Sequence, residues 1–153
     1  MQKQRIYIDT SVVGGYFDEE FKNPTEAFFE RVFQREIVLI VSDLLVSELQ
    51  PAPERVRNFF DNFENDFFEK VRVNQEVKAL ALKYLEANVV GRTSLADCEH
   101  IAMATISGAD ALVSWNFKHI VNLNRIRGYN GINYQLGYKM IEIRSPKELL
   151  HYG

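Results

Sequence analysis

Residues 95–116 read LADCEHIAMATISGADALVSWN, and this stretch decides the fold class. Small and apolar side chains at helical spacing predict a helix over residues 95–107. Gly108 ends that helix, because glycine adopts the left-handed conformation common at helix C-termini. The largely apolar run Ala111–Trp115 is typical of a strand that is buried on both faces. A helix leading into such a strand indicates a parallel sheet covered by helices.

The rest of the chain continues the alternation of strands and helices. The other predicted strands are Arg5–Asp9, Ile37–Val41, Phe68–Val73 and Lys139–Ile143. The other predicted helices begin near Pro24 and at Ser42 or Asp43, and cover residues 54–66, 75–88, 118–127 and 146–151, with a turn at residues 128–131. Such alternation indicates right-handed βαβ units. We therefore predict one α/β domain, covering residues 1–153, with a mainly parallel sheet.

Composition limits the class of protein. The chain has 153 residues and 46% hydrophobic content, enough for one domain with a substantial core. It has no apolar run long enough to span a membrane, and its polar first residues do not fit a signal peptide. Cys98 is the only cysteine, which excludes an intramolecular disulfide and a cysteine-rich zinc site. We expect a cytoplasmic enzyme or regulator.

Charge is distributed unevenly along the chain. Residues 117–153 carry a net charge of +4, and residues 1–116 carry −7. An acidic body can hold a metal ion while a basic C-terminal quarter attracts phosphate. Ordinary variation in surface charge explains the pattern equally well.

Four polar side chains fall at or just after the ends of predicted strands. These are Asp9, Glu48, Asp97 and Asn116. In an open parallel sheet, ligands bind beyond the carboxyl ends of the strands. Crowded carboxylates repel one another unless a divalent cation or protonation relieves them. Oxygen donors without nearby thiolates suit Mg²⁺ or Mn²⁺, which points to hydrolytic phosphoryl chemistry.

Each of these side chains also has a structural interpretation. Asp9 can cap a helix, although a role in chemistry is the better interpretation for it. Glu48 alone is more simply a solvated helix residue. Asp97 follows Ser94 at the spacing of a capping box, so both interpretations are equally good. Asn116 alone is better explained as a helix N-cap.

Other polar and aromatic residues receive no site role from the sequence. His100, His119 and His151 share no metal-ligand spacing, and His100 is interpreted as a chance neighbour of Cys98. Phe117 lies beside Asn116 and could stack on a base, but packing at the sheet edge is the preferred interpretation.

Three stretches resemble the PIN-domain family, whose members include VapC-type toxins of toxin–antitoxin pairs. Residues 6–11, IYIDTS, resemble the family's opening strand with its first metal-binding aspartate. Residues 46–49, VSEL, resemble the second acidic position. Residues 95–104 together with 108–114 resemble its most specific segment, in which an aspartate opens a helix of small residues.

The resemblance implies a three-layer α/β/α sandwich, often a homodimer, that cuts RNA with Mg²⁺ or Mn²⁺. Asp9, Glu48 and Asp97 would then hold the metal. Many members have a fourth acid where this chain has Asn116, so we expect Asn116 to support the metal or the attacking water, and a second metal to bind more weakly. A toxin role implies an antitoxin partner.

Further residues are assigned to the surroundings of the metal. Thr10 or Ser11 would orient Asp9 or contact the scissile phosphate, and Ser114 and Lys118 would be supporting or RNA-contacting residues. One alternative is a non-catalytic RNA-binding or regulatory PIN module. Another is an unrelated phosphoryl-transfer or receiver-like domain, which is disfavoured because no second aspartate follows two residues after Asp9.

Overall fold

The computed structural model describes residues 3–61, 67–87 and 94–151. Five strands form one sheet in the order β3-β2-β1-β4-β5, and every pairing is parallel. The strands are β1 Gln4–Ile8, β2 Ile37–Ser42, β3 Phe68–Val71, β4 Ala111–Val113 and β5 Ile143–Arg144. The predicted parallel sheet is therefore confirmed.

Eight helices lie between and beside these strands in the described part of the chain. They are α1 Thr10–Gly15, α2 Lys22–Phe33, α3 Asp43–Glu48, α4 Glu54–Asp61, α5 Gln75–Glu86, α6 Leu95–Ile106, α7 Leu123–Gln135 and α8 Pro146–His151. No described helix has the length and apolar character needed to cross a membrane.

The central strand β1 separates two hydrophobic cores. Successive side chains of a strand point to opposite faces. Ile6 and Ile8 accordingly pack in one core with residues of α1, α2, α4 and α8. Tyr7 packs in the other core with residues of α5, α6 and α7. Helices thus cover both faces of the sheet, and the predicted three-layer α/β/α sandwich is confirmed.

The region after β4 differs from the predicted elements. The predicted helix over residues 118–127 is helical only from Leu123, and the predicted turn at residues 128–131 is wrong, because one helix, α7, runs from Leu123 to Gln135. Asn122 caps it by accepting hydrogen bonds from two backbone N–H groups of its first turn. Tyr129, inside the predicted turn, is fully buried. This packing outweighs the helix penalty of the two glycines, each about 1 kcal/mol.

The last strand is also displaced, since Lys139–Ile143 was predicted and β5 is Ile143–Arg144. The Asn130 side chain donates to the Ile141 carbonyl at 3.0 Å and accepts from the Ile141 N–H at 2.7 Å. Both backbone groups of Ile141 are therefore engaged by a side chain of α7 and are not available for strand pairing.

The remaining element boundaries are close to those predicted. β1, β2, β3, β4, α3 and α6 end within two residues of the predicted ends where these are described. The predicted helix over residues 54–66 is confirmed for Glu54–Asp61, and residues 62–66 and Asn88 lie outside the described residues. Helix α1 has no counterpart among the predicted elements. It begins directly after Asp9, so it forms part of the candidate site.

Candidate functional site

The sheet order brings the predicted acids to one edge. β1, β2 and β4 are neighbours and run in the same direction, so their carboxyl ends lie together. Asp9 follows β1, Ser114 follows β4, and helix α3, which carries Glu48, begins directly after β2. Asp97 stands in the first turn of α6.

Asp9 is buried, with only 5% of its surface exposed. The Ser11 hydroxyl donates to Asp9 Oδ1 at 2.6 Å, and the Ser114 hydroxyl donates to Oδ2 at 2.6 Å. Asp9 occupies the N-cap position of α1, but its side chain makes no capping hydrogen bond. The capping interpretation of this side chain is therefore wrong. Of the two predicted orienting residues, Ser11 is the one that binds Asp9.

The electrostatic surroundings of Asp9 connect it to the other predicted acids. Burial raises the pKa of Asp9, because a charged carboxylate loses its hydration. The neighbouring His100 ring and the two serine hydroxyls lower that pKa, and the carboxylate of Asp97 raises it again. A cation bound by both carboxylates would relieve this unfavourable effect of Asp97 on Asp9.

The loop after β4 is attached to Asp9 through the same two serines. The Ser114 oxygen accepts from the Asn116 N–H at 2.9 Å, and the Ser11 oxygen accepts from the Trp115 N–H at 2.9 Å. Each hydroxyl thus donates to the carboxylate and accepts from the loop. This double use fixes the position of residues 114–116 relative to Asp9.

Asn116 is not a helix N-cap, because the residues that follow it form a turn and the next helix, α7, begins at Leu123. The Asn116 Oδ1 accepts from the His119 N–H at 2.9 Å. A role in holding the metal or the attacking water stays a prediction. The next two residues, Phe117 and Lys118, are exposed at the same edge of the sheet.

Glu48 is held by two side chains from different elements. Its Oε1 accepts from the Thr10 hydroxyl at 2.7 Å and lies 2.7 Å from His100 Nε2. The hydrogen bond from His100 is the main cause that lowers the pKa of Glu48, and Thr10 lowers it further. Thr10 therefore orients Glu48 rather than Asp9. Glu48 is not simply a solvated helix residue.

His100 is a site residue that the sequence interpretation missed. The side chain is 2% exposed and contacts both Glu48 and Tyr7. It stands three residues after Asp97 on α6, and residues at this spacing share one face of a helix. This three-residue spacing was the feature of the sequence that could have placed His100 beside Asp97 at the site.

Asp97 is placed by the cap of its own helix. The Ser94 oxygen accepts from the Asp97 N–H at 3.1 Å. Within the described residues, the Asp97 carboxylate forms no hydrogen bond or ion pair, so the capping box has only one of its two bonds.

The oxygen atoms of the predicted acids suit a hard cation, but these side chains are not gathered around one point. Asp9, Glu48 and Asp97 offer carboxylate oxygens, which Mg²⁺ and Mn²⁺ prefer. Among residues 3–61, 67–87 and 94–151, however, no three acidic, histidine or cysteine side chains are grouped as a metal site. Asp9 is engaged by serines, and Glu48 by Thr10 and His100. The three-acid cluster stays a prediction.

Cys98, beside Asp97, is not a nucleophile in this fold. Burial raises the pKa of its thiol to about 12, and the nearby charge of Asp97 raises it too. The positive charge of Arg125, at the start of α7, opposes this shift.

Comparisons with known proteins find similarity at the level of structure. No protein-family model and no curated protein sequence matches the chain. FitAcB from Neisseria gonorrhoeae is similar, with 12% identity, a TM-score of 0.61, and coverage of 92% of this chain and 97% of that one. DNA-bound VapBC from Salmonella typhimurium is 15% identical, with a TM-score of 0.59 and coverage of 94% and 98%.

A third similar structure is VapC20 from Mycobacterium tuberculosis, described as a Sarcin-Ricin loop cleaving toxin. It is 13% identical, with a TM-score of 0.57, and the similarity covers 72% of this chain and 89% of that one. Identity this low establishes a shared fold. The chain therefore has the PIN-domain fold of VapC-type toxins, as its sequence motifs predicted.

Proposed function

We propose that this protein is a metal-dependent endoribonuclease of the PIN-domain type, and the toxin of a VapBC-like pair. The observation that carries the proposal is the buried carboxylate of Asp9. It lies at the carboxyl edge of the sheet, is held by two serine hydroxyls, and is repelled by Asp97. A divalent cation shared by the two carboxylates would relieve this repulsion.

In this proposal Asp9, Glu48 and Asp97 hold one Mg²⁺ or Mn²⁺ ion. The bound ion would acidify a water molecule and stabilise the negative charge that develops on the scissile phosphate. Ser11 and Ser114 keep Asp9 oriented, and Thr10 keeps Glu48 oriented. The lowered pKa of Glu48 keeps it ionised at neutral pH. Asn116 brings no charge, which favours a single metal.

An RNA substrate agrees with the charges beside these acids. Lys118 is exposed on the loop after β4. Basic side chains next to an acidic metal site can bind the phosphates on either side of the scissile bond. The described action of VapC20 on the Sarcin-Ricin loop supports a structured RNA as the substrate class.

Lys118→Ala should weaken RNA binding to a similar extent for different sequences, because a phosphate contact carries no sequence information. The slope of log affinity against log salt concentration should fall by about one. Fluorescence anisotropy with a labelled RNA in Ca²⁺ measures both quantities. Lys147→Ala, an exposed lysine on α8, is the matched control and should leave the slope unchanged. Equal slopes for wild type and Lys118→Ala would remove Lys118 from the interface.

The toxin role rests on the assemblies formed by similar structures. VapBC2 from Rickettsia felis was solved with a DNA fragment from its promoter, and FitAB was solved with a DNA fragment as well. By analogy, we propose that an antitoxin covers the candidate site and that the toxin forms a homodimer in the cytoplasm. A short open reading frame directly upstream of the gene would support this pairing.

The second candidate function is a non-catalytic RNA-binding PIN module. The observation that favours it is that Asp9 and Glu48 have their oxygens engaged by protein side chains rather than grouped around one point. This alternative predicts that the protein retains RNA in Mn²⁺ without cleaving it.

Metal-dependent cleavage of a mixed RNA pool distinguishes the two functions. Wild type should cleave in Mn²⁺ or Mg²⁺ and stop when EDTA is added. Asp97→Ala should lose the activity, whereas Glu99→Ala, an acid two residues along the same helix, should retain it. Equal cleavage by both variants would identify a contaminating nuclease. RNA retention without cleavage by wild type would select the binding module.

A further inference from the structure

We infer that His100 is a positioning residue for Glu48. It binds one carboxylate oxygen, Oε1, and leaves Oε2 as the oxygen that a ligand can use. The inference rests on the proposed function, because it assigns Glu48 a single working oxygen within the same site. The contact between His100 and Glu48 can also be measured without any metal or RNA.

The hydrogen bonds of His100 run in one direction, from the Tyr7 hydroxyl through the imidazole ring to Glu48. A carboxylate only accepts hydrogen bonds, so His100 Nε2, 2.7 Å from Glu48 Oε1, carries the proton that it donates. On the other side of the ring, Nδ1 lies 2.5 Å from the Tyr7 hydroxyl. A tyrosine phenol carries its proton at neutral pH, so the Tyr7 hydroxyl can donate to Nδ1. Tyr7 therefore selects the tautomer of His100 that binds Glu48.

The other end of helix α3 is held by its own cap. Ser42 is the N-cap of α3, and its oxygen accepts from the Leu45 N–H at 3.0 Å. Ser42 precedes the first residue of α3, and Glu48 is its last residue. The beginning of this helix is thus fixed by Ser42, and its last residue is bound by His100 of α6.

A helix as short as α3 depends on hydrogen bonds to other elements for its position. α3 has six residues and buries only Leu45 among them, so the helix itself provides little that would fix its rotation. His100 stands one turn after Asp97 on α6. The hydrogen bond between His100 and Glu48 therefore sets the position of Glu48 relative to Asp97, two acids that are far apart in sequence.

A purely structural histidine would have different partners. A buried histidine that only satisfies the core usually bonds to backbone or to another buried group. Here Nε2 bonds to a carboxylate that is 36% exposed and lies at the candidate site. Breaking such a bond matters more for where Glu48 points than for core packing.

Three variants separate positioning from packing. His100→Leu fills a similar volume but cannot donate, and His100→Gln keeps an N–H that can reach Glu48. Tyr7→Phe keeps His100 and removes the group that selects its tautomer. Thermal unfolding establishes that each variant is folded before it is compared with wild type.

Mn²⁺ affinity, measured by calorimetry, should fall 10- to 100-fold in His100→Leu, the range typical when a partner of a metal ligand is removed. His100→Gln should recover most of that loss. In metal-free crystals, the Glu48 carboxylate should leave its position in the Leu variant and keep it in the Gln variant. Unchanged Glu48 placement and Mn²⁺ affinity in a folded His100→Leu protein would overturn the inference.

Nitrogen chemical shifts of His100 provide a test on the wild-type protein alone. We expect a protonated Nε2 and an unprotonated Nδ1, with this preference lost in Tyr7→Phe. An unprotonated Nε2 in wild type would contradict the proposed chain. If wild type binds no Mn²⁺ and cleaves no RNA, the proposed function fails, whereas the shifts and crystal structures still decide the role of His100.

Discussion

Asp9→Asn is expected to reduce metal-stimulated RNA cleavage by at least about 100-fold, because losing even an outer partner of a metal ligand typically costs 10- to 100-fold. Asparagine has nearly the same shape as aspartate but carries no charge. The variant keeps the place of the side chain between Ser11 and Ser114 and removes its attraction for a cation. Initial rates at saturating Mn²⁺ measure the loss.

The same variant should fold at least as stably as wild type at neutral pH. Because burial raises the pKa of Asp9 above its unfolded value of about 3.9, the folded protein binds the extra proton between the two values. Wild-type stability therefore falls as pH rises through that window, and Asp9→Asn avoids this fall. Thermal unfolding should show an advantage for the variant at pH 7 that shrinks towards pH 3.

Asp110→Asn is the matched control for this experiment. Asp110 precedes β4, so it lies at the opposite end of the sheet, where its carboxylate accepts from the Arg5 N–H at 2.7 Å. It should retain cleavage. Full activity in a folded Asp9→Asn protein would refute the assignment of Asp9, and a comparable loss in Asp110→Asn would show that the effect is not specific to the site.

Gly15→Ala should destabilise the fold by about 1–3 kcal/mol, the usual cost of overpacking a filled core. A Cβ at Gly15 would lie 2.6 Å from Trp115 Nε1 and 2.7 Å from its Cδ1. Trp115 cannot easily move, since it stacks on Phe21 at 4.2 Å and donates to the Thr25 hydroxyl at 2.9 Å. The midpoint of thermal unfolding should drop by about 2–4 °C per kcal/mol.

Gly14→Ala is the matched control, one residue earlier in the same helix. A Cβ there meets nothing within 4 Å, and alanine favours a helix over glycine by about 0.5–1 kcal/mol. Gly14→Ala should therefore leave stability unchanged or raise it. Equal effects of the two substitutions would mean that Trp115 does not occupy the space beside Gly15.

The clash between a side chain at residue 15 and Trp115 should also affect the candidate site, because Trp115 is hydrogen-bonded to Ser11. The backbone N–H of Trp115 donates to the Ser11 oxygen, and the Ser11 hydroxyl donates to Asp9. If Trp115 is displaced, Ser11 should shift with it, and the Asp9 carboxylate should lose part of its orientation. We expect Gly15→Ala to lower cleavage even at temperatures where the variant remains folded.

The parts of the fold that follow from local pattern were predictable. Apolar runs at residues 37–41 and 111–115 mark central strands because both of their faces are buried. Parallel strands share a carboxyl edge, so Asp9 and Asn116 could be assigned to one edge of the sheet. That β1 and β4 are neighbours, which brings Ser114 to Asp9, was known only from the structure. The helix α7 was not predictable in this way, because its packing outweighs the preference of Gly128 and Gly131 for a turn.

The polar contacts of the site depend on three-dimensional placement and could not be predicted from one sequence. Thr10 was expected to serve Asp9, yet it is the neighbour of Glu48 across two elements. His100 was dismissed for lack of ligand spacing, but its partners, Tyr7 and Glu48, are 93 and 52 residues away in the chain. Only its position one turn after Asp97 was visible in the sequence.

Anomalous diffraction from crystals grown with Mn²⁺ tests most directly whether the acids share a cation. We expect one anomalous peak about 2.1 Å from oxygens of both Asp9 and Asp97, with Glu48 bound through Oε2 directly or through a water. A peak away from these residues, or no peak at saturating Mn²⁺ while Ser11 and Ser114 still hold Asp9, would contradict the metal site and the nuclease mechanism built on it.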